Sequence, residues 1–554
     1  MRYFSTNNLE VSEKQGSRLF QRSHLRLNWI LHLFLTLTAF VPLLLWGCQE
    51  KGKQKLPCFL YLRLSSNPTT LDPSLIVDVA SANIATKLFN GLVRFGEQME
   101  IEPDIANTFE ASPDGRRYSF HLKSNVRFSN GREVTASDFK YSFERILNPQ
   151  TRSPRTWVFS RIKGAKEYME GKEQEVSGIK VKDKYWLEIV LEKPFALFLQ
   201  FLALPPAYCV PKEEVERWKT DFSFHPVGTG PFILEHWRHN LTLKMTANSD
   251  YFGNKAKVKG IIYRIIPEDL TAVYEFYSGN LDLLPVPQAE FKRYLTNPQW
   301  KQMMKGVVGL NTYYLGLNCQ RPPFDNPIVR QAMNYCIDRE KILKTMLEGR
   351  GILASGPIPP ALLTDVKKDF GYNYNPNKAF SLLKKAGYPE GFEIKIYQSS
   401  DQESLEILEV VQKYLEKVGV RAQIIQREWS SFMEALNKRE ADAFWLSWGA
   451  DYPDAENFLF PTFHSGNWGA GGNRTFFKDT KIDRLIEEAQ KTIAKEKRFL
   501  LYQEIEKRVI DQAPWVFFWH KKDYVVTQPW VKGVKLYPMP GVDKGTAVYI
   551  EERQ

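Results

Sequence analysis

The chain has 554 residues, 43% of them hydrophobic and 14% aromatic, which is enough for a large core divided among several domains or lobes. Its formal charge of +11 is scattered, with no run of five like charges, which argues against nucleic-acid binding. No HExxH, GxSxG, GxxxxGKS/T or CxxC pattern occurs and the histidines are dispersed, so neither a catalytic constellation nor a metal set stands out.

The first segment is a leader. Arg2, Lys14, Arg18, Arg22 and Arg26 precede an apolar run from Asn28 to Gly47 that ends at Cys48. Positive charge ahead of an apolar stretch is an export signal. Leu45-Trp46-Gly47-Cys48 resembles the lipobox of bacterial lipoproteins, with Trp46 departing from the usual small or aliphatic residue. The expectation is therefore a signal peptide over 1–47, a lipid on Cys48, a short tether over 48–57, and an envelope protein on the outer side of a bacterial membrane. A retained membrane anchor is the alternative, because the run is long enough to span a bilayer. Taking away the leader's five basic and two acidic residues lowers the charge to +8.

After the leader, strands and helices alternate. Phe59–Leu64 and Tyr118–Leu122 read as strands. The spacing predicts a helix over 80–89. A second opens at Thr135, with Asp138 three residues on as its capping partner. Trp186–Leu191 reads as a strand. Pro226–Pro231 is a tight Gly/Pro segment that a strand follows, which makes a phosphate loop improbable. Tyr263–Ile266 and Tyr314–Leu317 read as strands, 269–277 and 328–338 as helices. Helices over 378–386 and 403–418 each end at a glycine, Gly387 and Gly419. Strands at 393–397 and 421–425 flank the second, an order that implies a parallel unit. Helices over 482–494 and 497–511 and a buried strand at 515–519 complete an α/β chain with mixed sheets. Beyond Cys48, four cysteines remain, Cys58, Cys209, Cys319 and Cys336, whose pairing the sequence leaves open.

Five segments in order carry a family resemblance. They are Leu71-Asp72-Pro73 with Phe89–Arg94; Ala111–Lys123 with Val126–Phe139; Val227–Phe232 with Asn248–Gly253; Pro322–Tyr335; and Trp448–Phe458. Together they resemble the large extracytoplasmic solute-binding proteins that feed peptide ABC importers. The resemblance implies a two-lobed periplasmic-binding-protein fold of type II-like character, with an extra domain in the first half. Lobe I would take 58–88, 226–318 and 512–554, the extra domain (lobe II) 89–225, and lobe III 319–511. It further implies a non-catalytic monomer without cofactor that passes oligopeptides to membrane permease subunits.

The same resemblance places the site. Asp451 stands where oligopeptide binders put the acid that pairs with the peptide ammonium, and a buried ammonium needs such a carboxylate. Backbone groups of Ser447 and Gly449 on one side, and of Val77 and Val79 on the other, match positions that pair with the ligand like strands. Trp445, Trp448 and Trp468 are candidates for side-chain pockets. After Ser153-Pro154, where relatives often carry tyrosine, Arg155 follows and then Thr156-Trp157, and Trp445 stands where some relatives carry arginine; Arg155 and Trp157 are further candidates for the site. A murein-peptide binder is the alternative within the class. An exported hydrolase is the alternative outside it, with Asp451 and Asp454 as its only candidate acid pair.

Overall fold

A computed structural model describes residues 58–363 and 371–552. Cys48 and the leader lie outside the described residues. Among the described residues no helix is long and apolar enough to cross a membrane.

Three larger sheets organise the chain. In the first, Phe59–Leu64 runs parallel to Gly260–Ile265, which continues antiparallel to Thr242–Ala247 and Phe232–Arg238. The second is antiparallel throughout, in the order Ala106–Ala111, Arg117–Leu122, Trp186–Val190, Ile179–Asp183. It has its own core with the helix Ala136–Leu147, built on Phe120, Phe139, Phe143, Leu187 and Ile189. That helix starts as its sequence predicts: the Thr135 backbone N–H donates to the Asp138 carboxylate at 2.8 Å.

The third sheet is the largest. Its spine is Trp515–Thr527, a strand of 13 residues. The first half of that strand pairs with Asn311–Leu317, and its second half with Leu283–Pro285 and Met304–Val308. Asn311–Leu317 in turn pairs with Ala443–Gly449, followed by the parallel strands Phe392–Ser399 and Val420–Arg427. One strand thus joins elements assigned from sequence to lobe I and lobe III. The expected boundaries at 318 and 512 cross this sheet, because local patterning does not report which partner a strand finds.

The Gly/Pro segment has a steric purpose. A Cβ on Gly228 would sit 2.1 Å from the Leu88 carbonyl oxygen, and one on Gly230 2.3 Å from that of Lys87. The backbone of this segment lies directly on the end of the helix Val79–Leu88, and the Gly230 N–H donates to the Leu88 carbonyl. Only glycine permits that approach. Gly387 and Gly419 take positive φ after their helices, as the spacing predicts. Cys209, Cys319 and Cys336 are buried free thiols, and burial pushes Cys319 up to about 11 and Cys336 up to about 12.

Candidate functional site

Two adjoining cavities share Arg155, Trp157 and Asp451. The main cavity, of about 310 Å³, lies between the segments 76–82, 155–157 and 203–206 and the segments 309–311, 449–451 and 538–541. The side chamber, of about 450 Å³, extends past Trp157 and Asp451 to Arg161, Trp448, Glu456 and Phe460.

The first wall is built on Asp72. Its carboxylate caps the turn Pro73–Leu75 by accepting from the Ser74 N–H at 3.0 Å. It also receives both terminal nitrogens of Arg145, at 2.8 and 2.5 Å. The next residues are held from the neighbouring loop. The Ser153 hydroxyl donates to the Ser74 carbonyl at 2.5 Å, and Arg155 Nε donates to the Ile76 carbonyl at 2.8 Å. Val77 and Val79, expected on a strand, sit otherwise: the backbone is extended through Asp78 and a helix opens at Val79. Asp78 caps that helix and suits no strand interior, which is the physical reason for the difference. Burial raises the Asp78 carboxyl, but hydrogen bonds from Thr69 and Ser81 outweigh it and hold the group below its ordinary range. Val77 and Val79 are 55% and 58% exposed, and both line the main cavity. That is unusual for valines, and it offers an apolar surface to whatever enters.

The opposite wall is the strand Ala443–Gly449. Every residue of it pairs with Asn311–Leu317, whereas on its other side, among the described residues, only Ala443 and Phe444 pair with a strand. The phase of the ladder is fixed at both ends. The Ala450 N–H donates to the Leu310 carbonyl, and the Asn318 N–H donates to the Asp442 carbonyl. Even-numbered residues therefore direct their main chain toward Asn311–Leu317, and Ser447 and Gly449 direct theirs to the open edge. An open edge with unpaired N–H and C=O groups is a template for another extended chain. A Cβ on Gly449 would meet nothing within 4 Å, so this glycine is not required by packing and leaves the edge uncovered.

Asp451 follows the strand directly. Its backbone N–H donates to Asn457 Oδ1 at 2.9 Å. The residue is exposed to the cleft and lines both cavities, with its carboxyl partly desolvated by the walls around it. Burial pushes its carboxyl up, while Arg155 and Asn457 pull it down. Asp523, which the sequence reading missed, also lines the main cavity. Burial raises its carboxyl too, against Lys521 and Arg350.

The other expected residues divide between the cavities and the core. Trp157 packs edge-on against Phe201 with ring centres 4.9 Å apart and lines both cavities. Trp448 lines the side chamber. Trp445 lines neither cavity; it is 5% exposed and packs against Phe518 and Trp519. Trp468 is also elsewhere, with its Nε1 donating to the Phe477 carbonyl. Asp454 is turned away from both cavities, toward Arg498 at 3.9 Å and the Glu456 N–H at 2.9 Å. The proposed acid pair Asp451–Asp454 therefore does not face one space, and the geometry gives no support to hydrolysis by it.

Glu456 is buried at the side chamber, and its oxygens accept from Tyr452 and, at 2.5 Å, from Gln490. Desolvation raises its carboxyl from 4.5 to about 7, despite those hydrogen bonds. A raised folded-state value means that the folded protein holds this proton when the unfolded chain has released it. Stability is then expected to fall as the pH rises from about 4.5 through about 7, by ~3 kcal/mol in all. Glu456→Gln is expected to flatten that slope. Urea midpoints at pH 5 and pH 8 would show it, and an unchanged slope in the variant would assign the dependence elsewhere.

Residues 100–470 match the family model of bacterial extracellular solute-binding proteins, family 5. The chain belongs to that family. This solute-binding protein is similar to heme-binding protein A of Haemophilus influenzae, with 29% identity over 487 residues, 84% of this chain and 88% of that one. It is similar to the glutathione-binding protein GsiB of Salmonella typhimurium, with 27% identity over 462 residues, 82% of this chain and 87% of that one. Among solved structures, Helicobacter pylori DppA in complex with the peptide STSA superposes with a TM-score of 0.75 at 26% identity. The match covers 89% of this chain and 98% of that one. The fold is thus the two-lobed periplasmic binding fold with mixed α/β sheets, and the protein is a binder rather than an enzyme.

Proposed function

We propose that this solute-binding protein captures oligopeptides by the amino end. Asp451 accepts the ligand ammonium, and the main chain of Ser447 and Gly449 pairs with the ligand backbone from the open edge of Ala443–Gly449. The exposed Val77 and Val79 cover the ligand from the other wall. Closure of the lobes is a population shift toward whichever state the ligand contacts better. A lipid on Cys48 holds the protein at the outer face of the membrane, and the ligand passes to the membrane subunits of an ABC importer.

The observation that carries this reading is the unpaired strand edge beside Asp451. A main-chain edge recognises any extended peptide without reading its sequence, and an adjacent acid fixes the register by its terminus. Native mass spectrometry of residues 49 onward, purified without denaturation, tests it. A ladder of co-purified peptides is the expected result. A single discrete mass would replace it with a dedicated ligand such as a murein peptide, and cleavage of added peptides would move the protein to the hydrolases.

A further inference from the structure

The side chamber holds two arginines that form no close ion pair among the described residues, although Asp451 acts on Arg155 and Glu456 on Arg161 from a greater distance. The Arg161 guanidinium lies 4.1 Å over the Phe195 ring. Stacking uses the face of the group and leaves its edge N–H donors available. Among the described residues, no carboxylate comes within ion-pair distance of Arg161, and no acceptor receives its side-chain hydrogen bonds. Burial lowers its pKa, and Glu456 and Tyr452 offset that only in part. Arg155 donates its Nε to the Ile76 carbonyl, and its two terminal nitrogens have no acceptor among the described residues. The nearest buried acid, Glu456, is already occupied by Tyr452 and Gln490. A half-enclosed guanidinium with free donors is costly unless an anion arrives to take them.

Its placement says where on the ligand that anion belongs. Arg155, Trp157 and Asp451 border both cavities. A ligand whose ammonium rests on Asp451 therefore directs the group next to its amino end into the side chamber. Trp157, Trp448 and Phe460 supply apolar walls for the stem of that group.

We propose that the side chamber binds a carboxylate carried on the first or second residue of the ligand, with Arg161 as the residue that selects it. The favoured substrate class is acidic at its amino end: aspartyl or glutamyl peptides, or peptides joined through a glutamyl side chain so that the α-carboxylate remains free. The proposal rests on the peptide reading above.

Isothermal titration of the intact mature protein tests it with tripeptides differing in one group. Ala-Ala-Ala, Glu-Ala-Ala, Ala-Glu-Ala, their glutamine isosteres and a γ-glutamyl peptide form the set. At least one acidic member is expected to bind about tenfold or more tighter than its glutamine isostere, and the arm that does so identifies how the carboxylate is carried. In Arg161→Met that ratio is expected to fall to about threefold or less. Arg161→Lys should restore part of it, and Arg161→Glu should shift preference toward a lysine-bearing tripeptide. Equal binding of acid and amide by the unaltered protein overturns this proposal alone, and so does a ratio that survives in Arg161→Met. Failure to bind any peptide overturns both this proposal and the peptide reading beneath it. The comparison within the unaltered protein does not depend on whether any variant folds.

Discussion

Asp451→Ala is expected to weaken binding of peptides with a free amino terminus by roughly 30- to 5,000-fold. Truncating one partner of an enclosed charge pair costs about 2–5 kcal/mol, and each 1.4 kcal/mol is a factor of ten. Much of that loss is the ammonium left in the cleft without a counter-charge. N-acetylated peptides carry no ammonium, so the same substitution should hardly change their weaker affinity. The contrast has a pH signature. Burial raises the Asp451 carboxyl, so the pair is lost on acidification at a higher pH than an ordinary aspartate would give. On the alkaline side it is lost as the ligand amine, with a pKa of about 8, gives up its proton. Affinity should therefore pass through a maximum, and acetylated ligands should lack both limbs. Asp523→Asn is the companion measurement, because Asp523 lines the same cavity. If that variant shows the terminus-dependent loss and Asp451→Ala does not, the ammonium sits at Asp523.

The elements with clean local signals were legible in the sequence. The Thr135–Asp138 cap, the glycine stops at 387 and 419, and the parallel pair Phe392–Ser399 and Val420–Arg427 all follow from spacing. The strand Ala443–Gly449 gives no such signal, because Phe444, Trp445 and Leu446 are apolar in succession and show no period of two. The long strand Trp515–Thr527 was seen only to Trp519, since His520-Lys-Lys-Asp523 breaks the apolar run while the backbone continues. At the site, the placement of Asp451, Ser447 and Gly449 came from family resemblance, and the unpaired edge supplies a physical reason for it. Trp445 was misplaced because residues on alternate sides of a strand look alike in one dimension, and its side faces Phe518 and Trp519. Arg161 and Glu456 were missed for another reason. The side chamber joins 155–161 to 448–461, nearly 300 residues apart, and no local pattern connects them.

Asp72→Ala is expected to destabilise the fold by about 3–5 kcal/mol, the range for removing one member of a buried ion pair. Asp72 is 3% exposed and binds Arg145 through two nitrogens, so the substitution strands a guanidinium whose side chain is itself only 12% exposed. It also removes the cap on Ser74, a loss of about 1 kcal/mol. The consequence reaches the site, because the same turn leads into Ile76 and the exposed valines of the cleft wall. Urea unfolding gives the loss from the shift in midpoint at constant slope. The mechanism makes a second demand. If the cost arises from an uncompensated charge rather than from lost attraction, Asp72→Leu combined with Arg145→Met should recover most of it, since no charge then remains unpaired. A double variant as unstable as Asp72→Ala alone would instead place the cost in the geometry of the turn. Peptide affinity would then fall in every variant at this position, whatever its charge.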